Sequence, residues 1–145
     1  MIRKMVERPA GRSMLVRYMA QERRIYQSIE PVEIEDAEAA LERDNPNELL
    51  LVAISVGMYS EDLPRAEAFC LRLAKHSHFN VRGNAVLSFG HLARRFKKLN
   101  RPESVEAVRS GLTDADEYVR GQAEAAADDV EWFAKIEVRP SGGAI

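Results

Sequence analysis

The longest clean helical pattern in the chain runs from 79 to 99. Val81, Ala85, Ser88, Leu92, Phe96 and Leu99 recur at intervals of three and four, and Val86, Phe89 and Ala93 add a second stripe beside them. A helix apolar over so wide an arc must be covered on more than one side, so this segment is expected to be the central helix of a stack. The segments around it carry the same period. Residues 33–43 place Ile34, Ala37 and Leu41 on one face, and 46–59 contains the unbroken run from Leu49 to Ile54. That run is apolar nearly all round and should be buried. Its length also suits a strand, but Asn45, Pro46 and Glu48 form a capping box that decides for helix.

Pro64 opens a further helix with Leu63, Ala66, Phe69, Cys70 and Leu73 inward, ending near 76. Asn100 to Glu103 repeats the capping-box pattern before Val105, Val108 and Leu112, in a helix ending near 111. Asp114 to Glu117 is a third box, and Val119, Ala123, Ala126, Val130 and Phe133 stripe a last helix over 117–135. Upstream, Ser13 caps a helix over 13–30 with Leu15, Tyr18, Met19, Ile25, Tyr26 and Ile29 on one side and Arg17, Arg23 and Arg24 on the other; Pro31 stops it. Residues 1–12 read as a flexible arm and 136–145 as a frayed tail, Pro and Gly disfavouring helix in both. No segment reads as a strand. The expectation is one all-α domain of about seven helices.

Composition changes this picture little. At 145 residues the chain can bury a real core, and a formal charge of −2 implies no global field for polyanions. Cys70 is the only cysteine, so no intrachain disulfide can form; it reads as a small buried hydrophobe in a reducing compartment. No apolar run approaches the roughly 20 residues of a membrane span, and no apolar stretch follows Arg3, Lys4 and Arg8 as a secretory signal requires. A cytoplasmic protein that does not engage membranes is expected.

Charge distribution says more. Residues 1–29 hold seven basic and two acidic residues, a net of +5; 30–48 hold one and eight, a net of −7. Residues 63–101 hold nine and one, a net of +8; 103–131 hold two and nine, a net of −7. Either neighbouring layers of opposite sign attract, or one block, most plausibly acidic, faces a partner of opposite sign.

Val81-Arg82-Gly83-Asn84-Ala85 is echoed 38 residues later by Val119-Arg120-Gly121-Gln122-Ala123. A weaker copy aligns Val52 and Gly57 with Ala85 and Gly90 at a separation of 33. Two helices per 33–40 residues is the signature of an α-solenoid, in which stacking buries faces that each hairpin leaves wet. The turn followed by Val-Arg-x-x-Ala resembles HEAT repeats over roughly 33–135, as three helix pairs with 13–30 as a capping addition. That resemblance implies a right-handed α-α superhelix. It also implies that Asp114 or Asp116, with Arg82 and Arg120, ties adjacent repeats together. The central repeat departs from the pattern, with His76 and His78 where the last has Asp114 and Asp116.

Asn80 to Ala85, with Gly90-His91-Leu92-Ala93-Arg94, also resembles small bacterial HEAT-like immunity proteins of contact-dependent and other polymorphic toxin systems. The resemblance implies a non-catalytic protein that binds and neutralises one cognate toxin domain, as a monomer or weak dimer. The acidic residues Asp114, Asp116, Glu117, Glu124, Asp128 and Asp129 would then face a basic toxin. Resemblance to the alkylation-repair glycosylases implies instead an anion-binding surface of Arg82, His91, Arg94, Arg95 and Lys98. Those enzymes are considerably longer, however, and no aromatic base cage is evident. An assembly chaperone or scaffold fits the same features.

Other chemistry has weaker support. Arg94, Arg95, Lys97, Lys98 and Arg101 cluster at a helix C-terminus, where cations already favour the dipole. His76 and His78 lack the further Cys or His of a metal set, and Asp128 and Asp129 could join them only through tertiary approach. Glu124 and Asp128, at i and i+4, read as solvated carboxylates rather than an acid–base pair. No phosphate loop, G-x-S-x-G or H-E-x-x-H occurs. No metal, cofactor or catalytic set is therefore expected. Trp132 and Phe133 could anchor a partner or cover the end of the stack.

Overall fold

The computed structural model describes residues 29–140. The arm, residues 13–28 of the helix expected over 13–30 and the last five residues of the tail lie outside this range; Ile29 and Glu30 are described and are not helical. Among the described residues there are six α-helices and no strand: α1 Ile34–Arg43, α2 Pro46–Tyr59, α3 Leu63–Leu73, α4 Phe79–Phe96, α5 Pro102–Gly111 and α6 Glu117–Asp129. The fold is all-α. The helices pair in sequence, α1 with α2, α3 with α4 and α5 with α6. The second helices pack side by side as one layer, α2–α4–α6, and the first helices form a looser layer, α1–α3–α5.

α4 is the enclosed member, as its two apolar stripes require. Every residue from Gly83 to Ala93 is buried. Phe89 and Leu92 pack inward among Val56, Phe69, Val108 and Val130 of the same core. The glycines of the weaker repeat mark close approach. A Cβ at Gly57 would lie 2.7 Å from Ser88 on α4, and one at Gly90 would lie 2.9 Å from the Ala126 backbone on α6. The α4 polar residues reach across both seams. Asn84 Nδ2 donates to the Leu50 carbonyl (2.9 Å) while its Oδ1 accepts from Tyr118 Oη (2.5 Å) and Gln122 Nε2 (3.2 Å). Ser88 Oγ lies 2.7 Å from the Ala53 carbonyl and 2.9 Å from that of Asn84.

Three details differ from the sequence pattern. α2 is not buried all round, for Leu51 and Tyr59 on one flank are 43% and 37% exposed. The last helix ends earlier, and a π-helical turn over Val130–Ala134 follows it, closed by Lys135 in the left-handed region. Residues 136–139 do not begin a frayed tail. Glu131 Oε2 accepts from the backbone N–H groups of Val138 and Arg139, and Arg109 on α5 donates to the carbonyls of Val138 and Glu137. Val138 is buried as a result. Hydrogen bonds from Arg139 hold the Glu131 carboxyl down at about 2, well below its usual range.

The capping boxes also resolve differently. Asn45 does cap α2, accepting from Asn47 N, but Glu48 turns to Arg43 instead of closing the box. At α5 the N-cap, Arg101, supplies no side-chain cap. Glu67, fully buried on α3, does this work from the neighbouring hairpin. Its Oε2 accepts from Asn100 N (2.8 Å), and its Oε1 accepts from Arg101 N (3.0 Å) and Ser104 Oγ (2.6 Å). Three donors and a helix N-terminus replace the water that this buried carboxyl gives up. Cys70 lies beside it, and burial, reinforced by Glu67, pushes its thiol up to about 12, which leaves it inert.

Replacing Glu67 with Ala orphans three donors at the α5 start and should cost about 3 kcal/mol in urea denaturation. Glu67→Gln, which keeps one acceptor, should cost less. Equal stability of wild type and Glu67→Ala would show that α5 caps itself.

Candidate functional site

The turns that precede α4 and α6 position Arg82, Asp114 and Asp116 among the sequence-predicted site residues. Before α6, Asp114 Oδ1 accepts from Asp116 N (2.8 Å), and Asp116 caps the helix by accepting from Tyr118 N (2.8 Å). Before α4, two imidazoles replace the two carboxylates atom for atom. His76 Nδ1 accepts from His78 N (3.0 Å), and His78 Nδ1 accepts from Asn80 N (3.3 Å). With each Nδ1 accepting, Nε2 is the ring nitrogen left to donate. The Nε2–H of His76 then donates to Asp44 Oδ1 (2.7 Å) in the loop before α2.

Arg82 and Arg120 act alike on their own turns. Arg82 Nη1 donates to the carbonyls of His76 and Ser77, and Arg120 Nη1 to those of Asp114 and Ala115. Arg82 does more, for its Nε and Nη2 grip Asp114 in a fork with both bonds at 2.8 Å. This pair lowers the Asp114 carboxyl and raises the Arg82 guanidinium from their ordinary values. The rung expected between repeats is therefore formed by Arg82 and Asp114. One repeat earlier the senses are exchanged, with the acid on Asp44 and the base on His76.

Of the remaining basic candidates, Arg94, Arg95 and His91 are held by other atoms of this chain. Arg95 closes the C-terminus of α2, donating to the carbonyls of Gly57 (2.9 Å) and Ser60 (2.7 Å). Partial burial lowers its pKa. Arg94 binds Asp129 (3.1 Å) and donates to His91 Nδ1 (2.9 Å). Lys97 lies over the Phe133 ring at 4.5 Å, and Lys98 remains exposed. His91 is 7% exposed, and burial, with repulsion from Arg94 and Arg95, takes it from 6.5 to about 4. A ring so held stays neutral near pH 7 and adds no charge to an anion site.

The acidic candidates divide. Asp114 and Asp129 are committed to Arg82 and Arg94, and burial raises the Asp129 carboxyl despite the arginine. Asp116 is a helix cap. Asp128 pairs with Arg139 at 2.7 Å but keeps 70% of its side chain exposed. Glu117 and Glu124 are exposed with no ion pair among the described residues. These three acids lie on the outer flank of α6 together with Gly121 and Ala125, and Trp132 beyond them is 69% exposed. Lys135 Nζ sits 4.8 Å from the indole centroid. Among the described residues no cluster of three or more His, Cys, Asp or Glu is arranged to hold a metal, and no helix is long and apolar enough to cross a membrane.

Two measurements follow from this geometry. Arg82→Ala breaks a half-buried bidentate pair between hairpins and should cost about 2–3 kcal/mol. Arg120→Ala loses only bonds within its own turn and should cost under about 1 kcal/mol; equal losses in thermal melts would contradict the distinction. His91 binds a proton more readily in the unfolded chain than in the folded one, so stability is full above pH 6.5 and falls as pH drops toward about 4. The loss amounts to about 3 kcal/mol and should shrink in His91→Gln. A wild-type stability flat from pH 7 to 4.5 would rule this out.

No known family model, curated protein or solved structure matches the chain.

Proposed function

We propose that the protein is a non-catalytic binding module whose partner is another protein, and that its role is that of an immunity protein for a basic toxin domain. The observation that carries this reading is the outer flank of α6, at one end of the α2–α4–α6 layer. There Glu117, Glu124 and Asp128 stand exposed beside a solvent-facing Trp132. An exposed tryptophan beside exposed acids is the composition of an interface centre with a steering rim. Glu117 and Glu124 make no ion pair among the described residues, and Asp128, though paired with Arg139, keeps 70% of its side chain exposed, so a basic surface would find negative charge there.

Nucleic-acid binding draws no comparable support. Arg82, Arg94, Arg95 and Lys98 would be its contacts; the three arginines are each held by carboxylate or carbonyl oxygens of this chain, which leaves Lys98 as the exposed cation of the set.

Coexpression with the product of the immediately upstream reading frame tests the proposal. That product should arrest growth alone and be neutralised by this protein, and the purified pair should form a complex that weakens as salt is raised. The double substitution Glu117→Lys, Glu124→Lys should weaken the complex at least about tenfold without unfolding the protein. A harmless neighbour, or no salt-sensitive complex, would refute the immunity reading.

A further inference from the structure

The two copies of the Val-Arg-Gly motif have different fates, and the difference specifies what belongs on α6. Gly83, in the first copy, is required: a Cβ there would lie 2.8 Å from the ring of Tyr118. Tyr118 starts α6 and packs across that glycine while Asp114, four residues before it, takes the fork of Arg82. α4 thus receives the first turn of the next helix through an arginine and a glycine.

α6 repeats this receiving surface 38 residues on, and nothing of the described chain occupies it. Arg120 stands in the place of Arg82. Its Nη1 closes its own turn in the same way, while Nε and Nη2 have no acceptor among the described residues. Gly121 stands in the place of Gly83, and a Cβ there would meet nothing within 4 Å. A glycine inside an exposed helix weakens it relative to alanine, and no contact within the described chain gives a return for that loss. The rest of the flank has changed character. Val86, Leu87 and Gly90 of α4 become Glu124, Ala125 and Asp128. A further helix seated there would have to be basic where α6 itself is apolar or acidic.

We propose that the outer flank of α6 receives the first turns of a helix of the partner protein, as α4 receives α6. The partner helix places a carboxylate on the open edge of the Arg120 guanidinium and an aromatic ring four residues later over Gly121. Eleven residues further it presents a lysine or arginine to Asp128, in the register at which Asp129 approaches Gly90, 3.3 Å from a Cβ built there. This inference rests on the protein-binding reading above and adds the form of the partner's contact.

An unlabelled peptide is the probe: residues 112–134 of this chain carrying Asp129→Lys, titrated into the isotope-labelled full-length protein and followed by the protein's amide chemical shifts. Saturable binding is expected, with shifts centred on Arg120, Gly121 and Ala125. Gly121→Leu should weaken it at least about tenfold by filling the seat of the ring, and Tyr118→Ala in the peptide should do the same. Gly121 faces open space, so Gly121→Leu should melt no lower than wild type, and its loss of binding is then a loss of docking. No saturation by about 1 mM, a peptide binding that Gly121→Leu leaves unchanged, or shifts centred elsewhere would overturn the proposal. A salt-sensitive complex with a basic partner that survives Gly121→Leu would overturn it too, while leaving the acidic-flank reading standing. Peptide binding with the predicted losses, but no neutralised toxin, would support the docking geometry and remove only the immunity role.

Discussion

A helix enclosed on every side must find a partner for each polar atom it carries inward, and α4 is such a helix. Its apolar residues alone would let α2 and α6 slide along it, since dispersion and burial are not directional. Asn84 and Ser88 remove that freedom. Asn84 spans from the Leu50 carbonyl on α2 to Tyr118 and Gln122 on α6, so both neighbours are held in register by one side chain. Close approach at Gly57 and Gly90 makes these short bonds reachable. Fully satisfied buried networks of this kind select one packing among many of similar apolar area.

The alternation of charge along the chain serves the same end. Arg65 from the basic middle block meets Glu35 and Glu38 of the acidic block before it, and Arg82 and Arg94 meet Asp114 and Asp129 of the one after. Glu67, the single acid of the basic block, caps α5. Part of the segregation seen in the sequence is therefore attraction between adjacent hairpins. Other charges stay exposed outside these pairs, and on the outer flank of α6 they include Glu117 and Glu124, with the exposed carboxylate of Asp128.

The helices were legible because three- and four-residue periodicity and proline-marked starts act locally. Pro46, Pro64 and Pro102 all lie in first turns. The HEAT resemblance implied ties between repeats from Asp114 or Asp116 with Arg82 and Arg120; the structure joins Arg82 to Asp114 and keeps Asp116 and Arg120 on their own turn. What could not be read locally was who caps whom. Glu103 stood in a capping-box pattern, yet the cap comes from Glu67, whose signal was an acid in register with Leu63, Ala66, Phe69 and Cys70 on a buried face. The basic run from Arg94 to Lys98 looked like a surface patch. Arg95 in fact turns to the carbonyls that end α2, which is a tertiary choice. Asp129 stood with Glu117 and Glu124 as one candidate acidic surface, and only the structure separates Asp129, paired with Arg94, from the other two, which make no ion pair among the described residues.

A stack organised in this way has a firm spine in α4, and the outer flank of α6, where recognition is proposed, is exposed among the described residues. Native-state hydrogen exchange tests the central claim most directly. The account predicts that amides from Val81 to Ala93 are the slowest in the molecule and open only with global unfolding, with α6 next and α1 and α5 opening earlier. Exchange of α4 through local openings, as fast as that of α1 or α5, would contradict it.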